Sequence, residues 1–425
     1  MMEGLTYFFT DPIAQKVILG VAIIGAISGV VGTFSFLRKK TLIADAISHA
    51  VLPGVCVGFM FAGTKDPITL MIGALVIGWF SVWLIDNITQ KTKLSEDTAI
   101  ALVSTLFFAI GSVLLSIISK SQNTEQSGLK NFLFGKAATM TTFDVQVFSV
   151  VSIVILAIVI FCFKPFQLVC FNIEFAKSIG IKVRRIEFLL STLTVLTVAI
   201  GIQAVGVVLM SALLIAPAAS ARYWTNKLPF MVLISAFFGM LSGVLGVIFS
   251  TVKDNMPTGP WIVFSLFLFT FLTLIFAPEK GWFSIQKRNR RNIRKITEEN
   301  ILKIIYQLKE QGIIDVSFKD ILAKRAMDTD TLENNLMRLV NLGWLKKSSE
   351  LFSLSEKGEV EASRIVRSHR LWELYLTKRM NFKDDHIHGT AETIEHLITP
   401  EIEKELMKEL DFPTSDPHNK EIPYE

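Results

Sequence analysis

Nine blocks of about twenty mostly apolar residues run through the first two-thirds of the chain, roughly at 13–36, 42–63, 67–88, 97–118, 144–163, 186–204, 206–222, 228–250 and 260–278. A helix of about twenty residues crosses the ~30 Å hydrocarbon core of a bilayer, so each block predicts a membrane span. The sixth and seventh blocks are the least separate, because only a tight turn between Gly201 and Gly206 divides them. After residue 280 the pattern changes. Ile301, Ile304, Ile305 and Leu308 recur at helical spacing and predict an amphipathic helix over Thr297–Gln311 with Thr297 as its N-cap. Val316–Ala326, Asp328–Leu345 and then Trp344–Leu354 read as helix, turn, helix and β-wing, a winged helix-turn-helix pattern.

Composition sharpens this division. Apolar residues make up 51% of the chain and charged residues 19%, with a mean hydropathy of +0.48. Residues 279–425 hold 25 of the 43 Lys and Arg and 26 of the 38 Asp and Glu, which leaves 30 charges in the first 278 residues. That split excludes a single soluble fold and excludes intrinsic disorder. The expected fold is an all-α polytopic membrane domain of about nine transmembrane helices (1–280), a basic juxtamembrane linker (281–296) and a cytosolic winged helix-turn-helix with a helical dimerisation domain (297–425). Loops after the odd-numbered blocks carry twelve Lys and Arg, against five on the opposite loops. The positive-inside rule therefore puts the N-terminus outside and the C-terminal domain in the cytosol of a bacterial inner membrane. Met1–Asp11 has no basic start, so no cleavable signal peptide is expected. Cys56, Cys162 and Cys170 lie in or beside apolar blocks and form neither a disulfide framework nor a zinc cluster pattern.

Polar residues inside membrane spans are expensive and mark function. The second block contains Asp45, Ser48 and His49, spaced to share one helix face, with Pro53 kinking the helix just beyond. A carboxylate and an imidazole together suit a borderline divalent cation such as Zn²⁺, Mn²⁺ or Fe²⁺. The plain alternative is an Asp–His pair that only packs helices. The long loop Phe163–Arg185 centres on Asn172–Ile181, which predicts a short amphipathic helix ending at Gly180. Such a helix docks a motor subunit or lies on lipid. No GxxxxGK[ST] phosphate loop occurs in the sequence, so any ATPase is expected on a separate polypeptide.

These segments resemble the metal-ion permease family of ABC transporters. The likeness is carried by Asp45, Ser48-His49-Ala50 and Pro53-Gly54; by Glu174–Ile181, similar to the family's coupling helix through Glu174, Phe175, Ala176 and Gly180; and by Gln203–Ala221 with Gly206, Ser211 and Pro217. Asn131–Gly135 also fits. The resemblance implies an importer of zinc, manganese or iron, with Asp45 and His49 on the cation path. It also implies a permease homodimer in the lipid bilayer, an ABC ATPase subunit and an extracytoplasmic metal-binding protein.

The tail opens with Lys287, Arg288, Arg290, Arg291, Arg294 and Lys295, a stop-transfer run that also suits anionic lipid. Beyond it, Ser368–Leu374, His388–Pro400 and Ser415–Pro423 resemble the DtxR/MntR family of metal-dependent repressors. The resemblance implies metal ligands at His369, Glu392, Glu395 and His396, with His388 and Glu373 ancillary. Glu392, Glu395 and His396 are spaced for one helix face. Manganese or iron is the first expectation for the cargo, because the tail resembles sensors of those metals. Where the family offers acidic or Met ligands, this chain has Asn300 and Lys303, and a lysine there repels a cation. DNA is not expected as a partner. The recognition helix opens with Asp328, Asp330 and Glu333, and without the juxtamembrane run the tail holds 19 basic against 26 acidic residues. The expected function is the permease subunit of an ABC importer with a repressor-like regulatory tail. Its rivals are a membrane-anchored metal-responsive transcription regulator and a secondary metal transporter.

Overall fold

The computed structural model describes residues 12–63, 66–120, 135, 140–250, 256–380, 398–418 and 420–424. The chain divides into two compact units, Met1–Ile285 and Gln286–Glu425.

The first unit is helical throughout its described residues. Its helices are α1 (Pro12–Leu37), α2 (Thr41–Ala62), α3 (Pro67–Lys91), α4 (Glu96–Lys120), α5 (Thr142–Phe161), α6 (Phe163–Phe171), α7 (Ile173–Ser178), α8 (Val183–Val205), α9 (Val207–Trp224), α10 (Leu228–Ser250) and α11 (Thr258–Phe276). Eight of them, α1 to α5, α8, α10 and α11, are long and apolar enough to cross a membrane. Starts are set by side-chain caps: Asp66 accepts from the Thr69 amide before α3, and Thr141 with Asp144 forms a capping box before α5.

Helix α1 is the hub, and small residues let its neighbours approach. A Cβ placed on Gly25 would meet the Gly239 carbonyl of α10, one on Gly29 the Ser235 carbonyl, and one on Gly243 would meet Val21. The Ser235 hydroxyl donates to the Gly29 carbonyl at 2.8 Å across this seam. As α1 advances α10 retreats, so the two are antiparallel. Ser35 beside Thr194 and Ile24 beside Gly201 make α8 antiparallel to α1 as well. Gly32 against Leu214, with Met210 against Gly201, makes α9 parallel to α1. The chain therefore reverses between α8 and α9 with one residue to do it. Gly206 takes φ +92° and ψ 161°, a conformation open essentially to glycine alone. The turn sits between the fully buried Val205 and Val207. A non-helical backbone at such depth is tolerated where protein covers it. Gly206 thus divides the sixth and seventh blocks into two legs, and α9 is 18 residues or about 27 Å long. Ser220 to Thr270 and Trp224 to Thr273 set α11 parallel to α9, so α1 and α11 run the same way.

The second unit opens with α12 (Trp282–Glu310), whose first residues belong to unit one. This helix starts well before Thr297, which is interior and returns its hydroxyl to the Ile293 carbonyl at 2.9 Å instead of capping. The basic run expected as a linker is therefore the helix's first half; no Gly or Pro interrupts 282–310. Strand β1 (Val316–Ser317), α13 (Phe318–Lys324), α14 (Thr329–Asn341), β2 (Leu345–Ser348) and β3 (Leu351–Leu354) follow. The antiparallel sheet has the order β1-β3-β2, with β2 and β3 as the wing. Ile301, Ile305, Leu308, Ile321, Leu332, Leu336 and Leu339 form its core. Helices α15 (Glu356–Met380) and α16 (Pro400–Glu409) are the remaining helices among the unit's described residues. They are tied by Arg367 to Glu403, while Arg370 pairs with Glu310 of α12 and with the buried Asp416.

Candidate metal path and coupling surface

Most of the first two turns of α2 are apolar, and Ile43, Ala44, Ala46, Ile47 and Ala50 are buried. Asp45 and His49 interrupt that packing on one stripe. Their side chains stay 42% and 27% exposed, and His49 Nε2 lies 3.8 Å from Asp45 Oδ1. The other ring nitrogen, Nδ1, is buried without a hydrogen-bond partner, while the ring edge packs on Phe108 of α4. Ser48 does not join this pair. It is fully buried and gives its hydroxyl to the Ala44 carbonyl at 3.0 Å. Pro53 lies inside α2, and a Cβ on the next residue, Gly54, would meet the Gly73 carbonyl of α3. Among the described residues no cluster of three or more His, Cys, Asp or Glu stands ready to hold a metal ion. Among the described residues one chain thus offers two ligand groups here, Asp45 and His49.

A ring of charges at the start of α2 went unnoticed in the sequence. Arg38 Nη2 lies 3.6 Å from Glu187 Oε1, and Lys40 Nζ lies 3.8 Å from Glu96 and 3.9 Å from Glu187. Asp86 lines the same cleft, with Trp79, Trp83 and Phe188 as its aromatic wall. Burial pushes the Arg38 guanidinium below its ordinary pKa, against the pull of Glu187. The legible signal was two carboxylates, Asp86 and Glu187, inside apolar blocks.

The segment between α5 and α8 holds two short helices, of which α6 was not expected. Asn172 caps α7 by accepting from the Phe175 amide at 2.9 Å. The Ile181 amide donates to Ala176 and the Gly180 amide to Lys177, a Schellman end with Gly180 at φ +85°. Ala176 is buried and anchors the helix. Glu174, paired with Lys177 at 2.9 Å, is 82% exposed, and Ile173, Phe175 and Ile179 are exposed apolar residues beside it.

In the tail, α12 and α15 bring Asn300, Lys303, His369 and Glu373 together, all buried. Lys303 Nζ lies 3.1 Å from His369 Nδ1, and His369 Nε2 lies 3.1 Å from Glu373 Oε1. Glu392, Glu395, His396 and His388 lie outside the described residues, as do Asn131–Phe134 of the permease resemblance.

Comparison with known proteins places these features. The family model "ABC 3 transport family" matches residues 10–277, and "Iron dependent repressor, metal binding and dimerisation domain" matches 355–424. The manganese transport system membrane protein MntC of Bacillus subtilis is 36% identical over 381 residues, covering 89% of this chain and 88% of that protein. The zinc transport system membrane protein TroC of Treponema pallidum is 37% identical over 298 residues, covering 70% of this chain and 100% of its own length. Among solved structures, PsaBC from Streptococcus pneumoniae in complex with Fab superposes with a TM-score of 0.61 at 30% identity, over 67% of this chain and 99% of that one. The chain is a multi-pass membrane protein of the ABC 3 transport family whose tail, behind the permease domain, matches the metal binding and dimerisation domain of iron-dependent repressors.

Proposed function

We propose that this chain is the permease of a bacterial importer for Mn²⁺. The observation that carries the reading is the Asp45–His49 pair, partly exposed and 3.8 Å apart, on a helix whose neighbouring residues Ile43, Ala44, Ala46, Ile47 and Ala50 are buried and apolar. A carboxylate oxygen with an imidazole nitrogen suits Mn²⁺ and Fe²⁺ as well as Zn²⁺, whereas thiolates would favour softer ions. The manganese-named relative covers 89% of this chain and the zinc-named one 70%, which favours manganese. Two ligand groups per chain are too few for a cation that takes four or more, so a homodimer pairing two α2 helices supplies the rest. Energy comes from a separate ABC ATPase, which docks on Ile173, Phe175 and Ile179 around α7; an extracytoplasmic binding protein delivers the ion to the opposite face. The positive-inside count makes α7 and the tail cytosolic.

Uptake of radioactive Mn²⁺ into cells, with competing Fe²⁺ and Zn²⁺, tests this. Mn²⁺ uptake should resist a tenfold excess of either competitor, and Asp45→Ala or His49→Ala should abolish it at unchanged protein level. Near-normal uptake by both variants sinks the path assignment, and stronger competition by Zn²⁺ sinks the metal assignment.

A further inference from the structure

The repressor-type domain that matches the tail is a metal-binding one, and Asn300, Lys303, His369 and Glu373 meet between α12 and α15 of this chain. Lys303 is 6% exposed, His369 6%, Asn300 4% and Glu373 1%. An ammonium has three N–H donors and no acceptor. At 3.1 Å from Lys303 Nζ, His369 Nδ1 must therefore be the acceptor. The ring N–H is then on Nε2, which lies 3.1 Å from Glu373 Oε1, an ion-pair distance without hydrogen-bond alignment. A metal ligand must offer a lone pair. Here the Nδ1 pair is spent on Lys303 and Nε2 carries a proton, so neither nitrogen of His369 is available. A divalent ion at either nitrogen would also sit within a few ångströms of a buried ammonium, where like charges repel strongly. These residues do not fit a metal.

They do fit a substitute for one. A buried ammonium survives only with compensating charge and hydrogen bonds. Lys303 on α12 reaches such compensation through His369 to Glu373, both on α15. We propose that Lys303 is a built-in cation that does the structural work a metal does elsewhere: it ties α12 to α15 and holds the tail in one arrangement at every metal concentration. The module is then a permanent scaffold, and it does not sense the cargo. Asn300, buried on the same face of α12 with its Oδ1 unpartnered, adds an amide where a metal site would gain from a charged ligand. This inference stands apart from the transport reading, because it concerns unit two alone.

The test is hydrogen exchange of the full-length protein in nanodiscs, read by mass spectrometry on peptides from 297–310 and 356–380. Free Mn²⁺ is the probe, against a chelator control. The expected wild-type result is the same exchange with and without Mn²⁺. Lys303→Met should speed exchange in both peptides at least tenfold, because it removes the buried cation that faces the His369–Glu373 pair. Lys303→Met with Glu373→Gln removes both charges and should win back most of that protection, which simple misfolding of the single variant would not allow. Mn²⁺-dependent slowing in the wild type overturns the proposal. So does unchanged exchange in Lys303→Met, or a double variant as unprotected as the single one.

Discussion

The seam between α1 and α10 sets up a quantitative prediction for Gly25→Ala. A Cβ there would lie 2.2 Å from the Gly239 carbonyl oxygen and 2.7 Å from its carbon. Both atoms are backbone in the middle of a helix, so no rotamer change relieves the clash. The helices must part by roughly 1 Å, and a gap of that size already forfeits up to about half of each dispersion contact along the seam. The neighbouring Gly29–Ser235 approach and its 2.8 Å hydrogen bond are stretched with it. Overpacking of this kind costs about 3 kcal/mol, and the better helix propensity of alanine returns about 1 kcal/mol. The net loss of about 2 kcal/mol corresponds to a Tm lower by about 4–8 °C. Gly20→Ala is the matched control in the same helix. Its Cβ would meet Met140 Sδ at 2.8 Å, the far end of a flexible side chain. Propensity should win there and leave Tm unchanged or slightly raised. A fluorogenic thiol dye reads the transition at fixed heating rate, in a background lacking Cys162 and Cys170, because Cys56 is fully buried. Equal midpoints for the two variants would refute the backbone-contact argument.

Three further outcomes follow from other parts of the molecule. Gly180→Val places a β-branched residue at φ +85°, at a local cost of about 1–2 kcal/mol, and should unwind the end of α7; Mn²⁺ uptake should fall while the partner ATPase keeps hydrolysing ATP, and coupled turnover at the wild-type ratio would contradict this. Glu187→Ala strips the nearest carboxylate from Arg38, whose side chain is only 7% exposed, and should destabilise the permease unit by about 1–3 kcal/mol; adding Arg38→Met should recover part of the loss in the same thiol melt, and additive losses would disprove the coupling. The full-length protein should bind duplex DNA no better than a non-specific control in fluorescence anisotropy at physiological salt, and sequence-specific retention would reverse that expectation.

In the membrane unit, the span pattern was legible because lipid imposes it: long apolar runs have one meaning at this length. The reversal at Gly206 was legible only as a condition, since a single glycine turn and a continuous kinked helix share one hydropathy profile. What decided it was packing, with Gly32 on Leu214 and Gly201 on Met210 fixing opposite directions for α8 and α9. Spacing correctly put Asp45 and His49 together, yet it grouped Ser48 with them. A serine in an apolar helix can return its hydroxyl to the carbonyl four residues back, and Ser48 does so while facing the bundle. The charge ring of Arg38, Lys40, Glu96 and Glu187 could not be read from spacing, because its members come from three distant stretches that only tertiary packing assembles.

In the tail, two sequence features acquire local causes that spacing did not show. The acidic opening of α14 belongs first to the helix itself. Asp328 is its N-cap, accepting from the Thr331 amide at 3.0 Å, and Asp330 sits in the first turn, where the helix dipole favours negative charge. The one basic residue of α14, Arg338, is paired with Glu298 of α12 at 2.7 Å. Affinity for DNA comes mainly from cations that neutralise phosphates, and recognition helices enter the major groove by their N-terminal residues. On α14 that end carries carboxylates, and its lone cation is committed to the domain's own fold. The other feature is Lys303, which in the sequence was only a departure from a ligand pattern. In the structure it is a partner of His369, and through the ring it meets Glu373. One exchanged residue thus turns a place suited to an external cation into one that supplies its own, and the same exchange that removes metal dependence keeps α12 and α15 together.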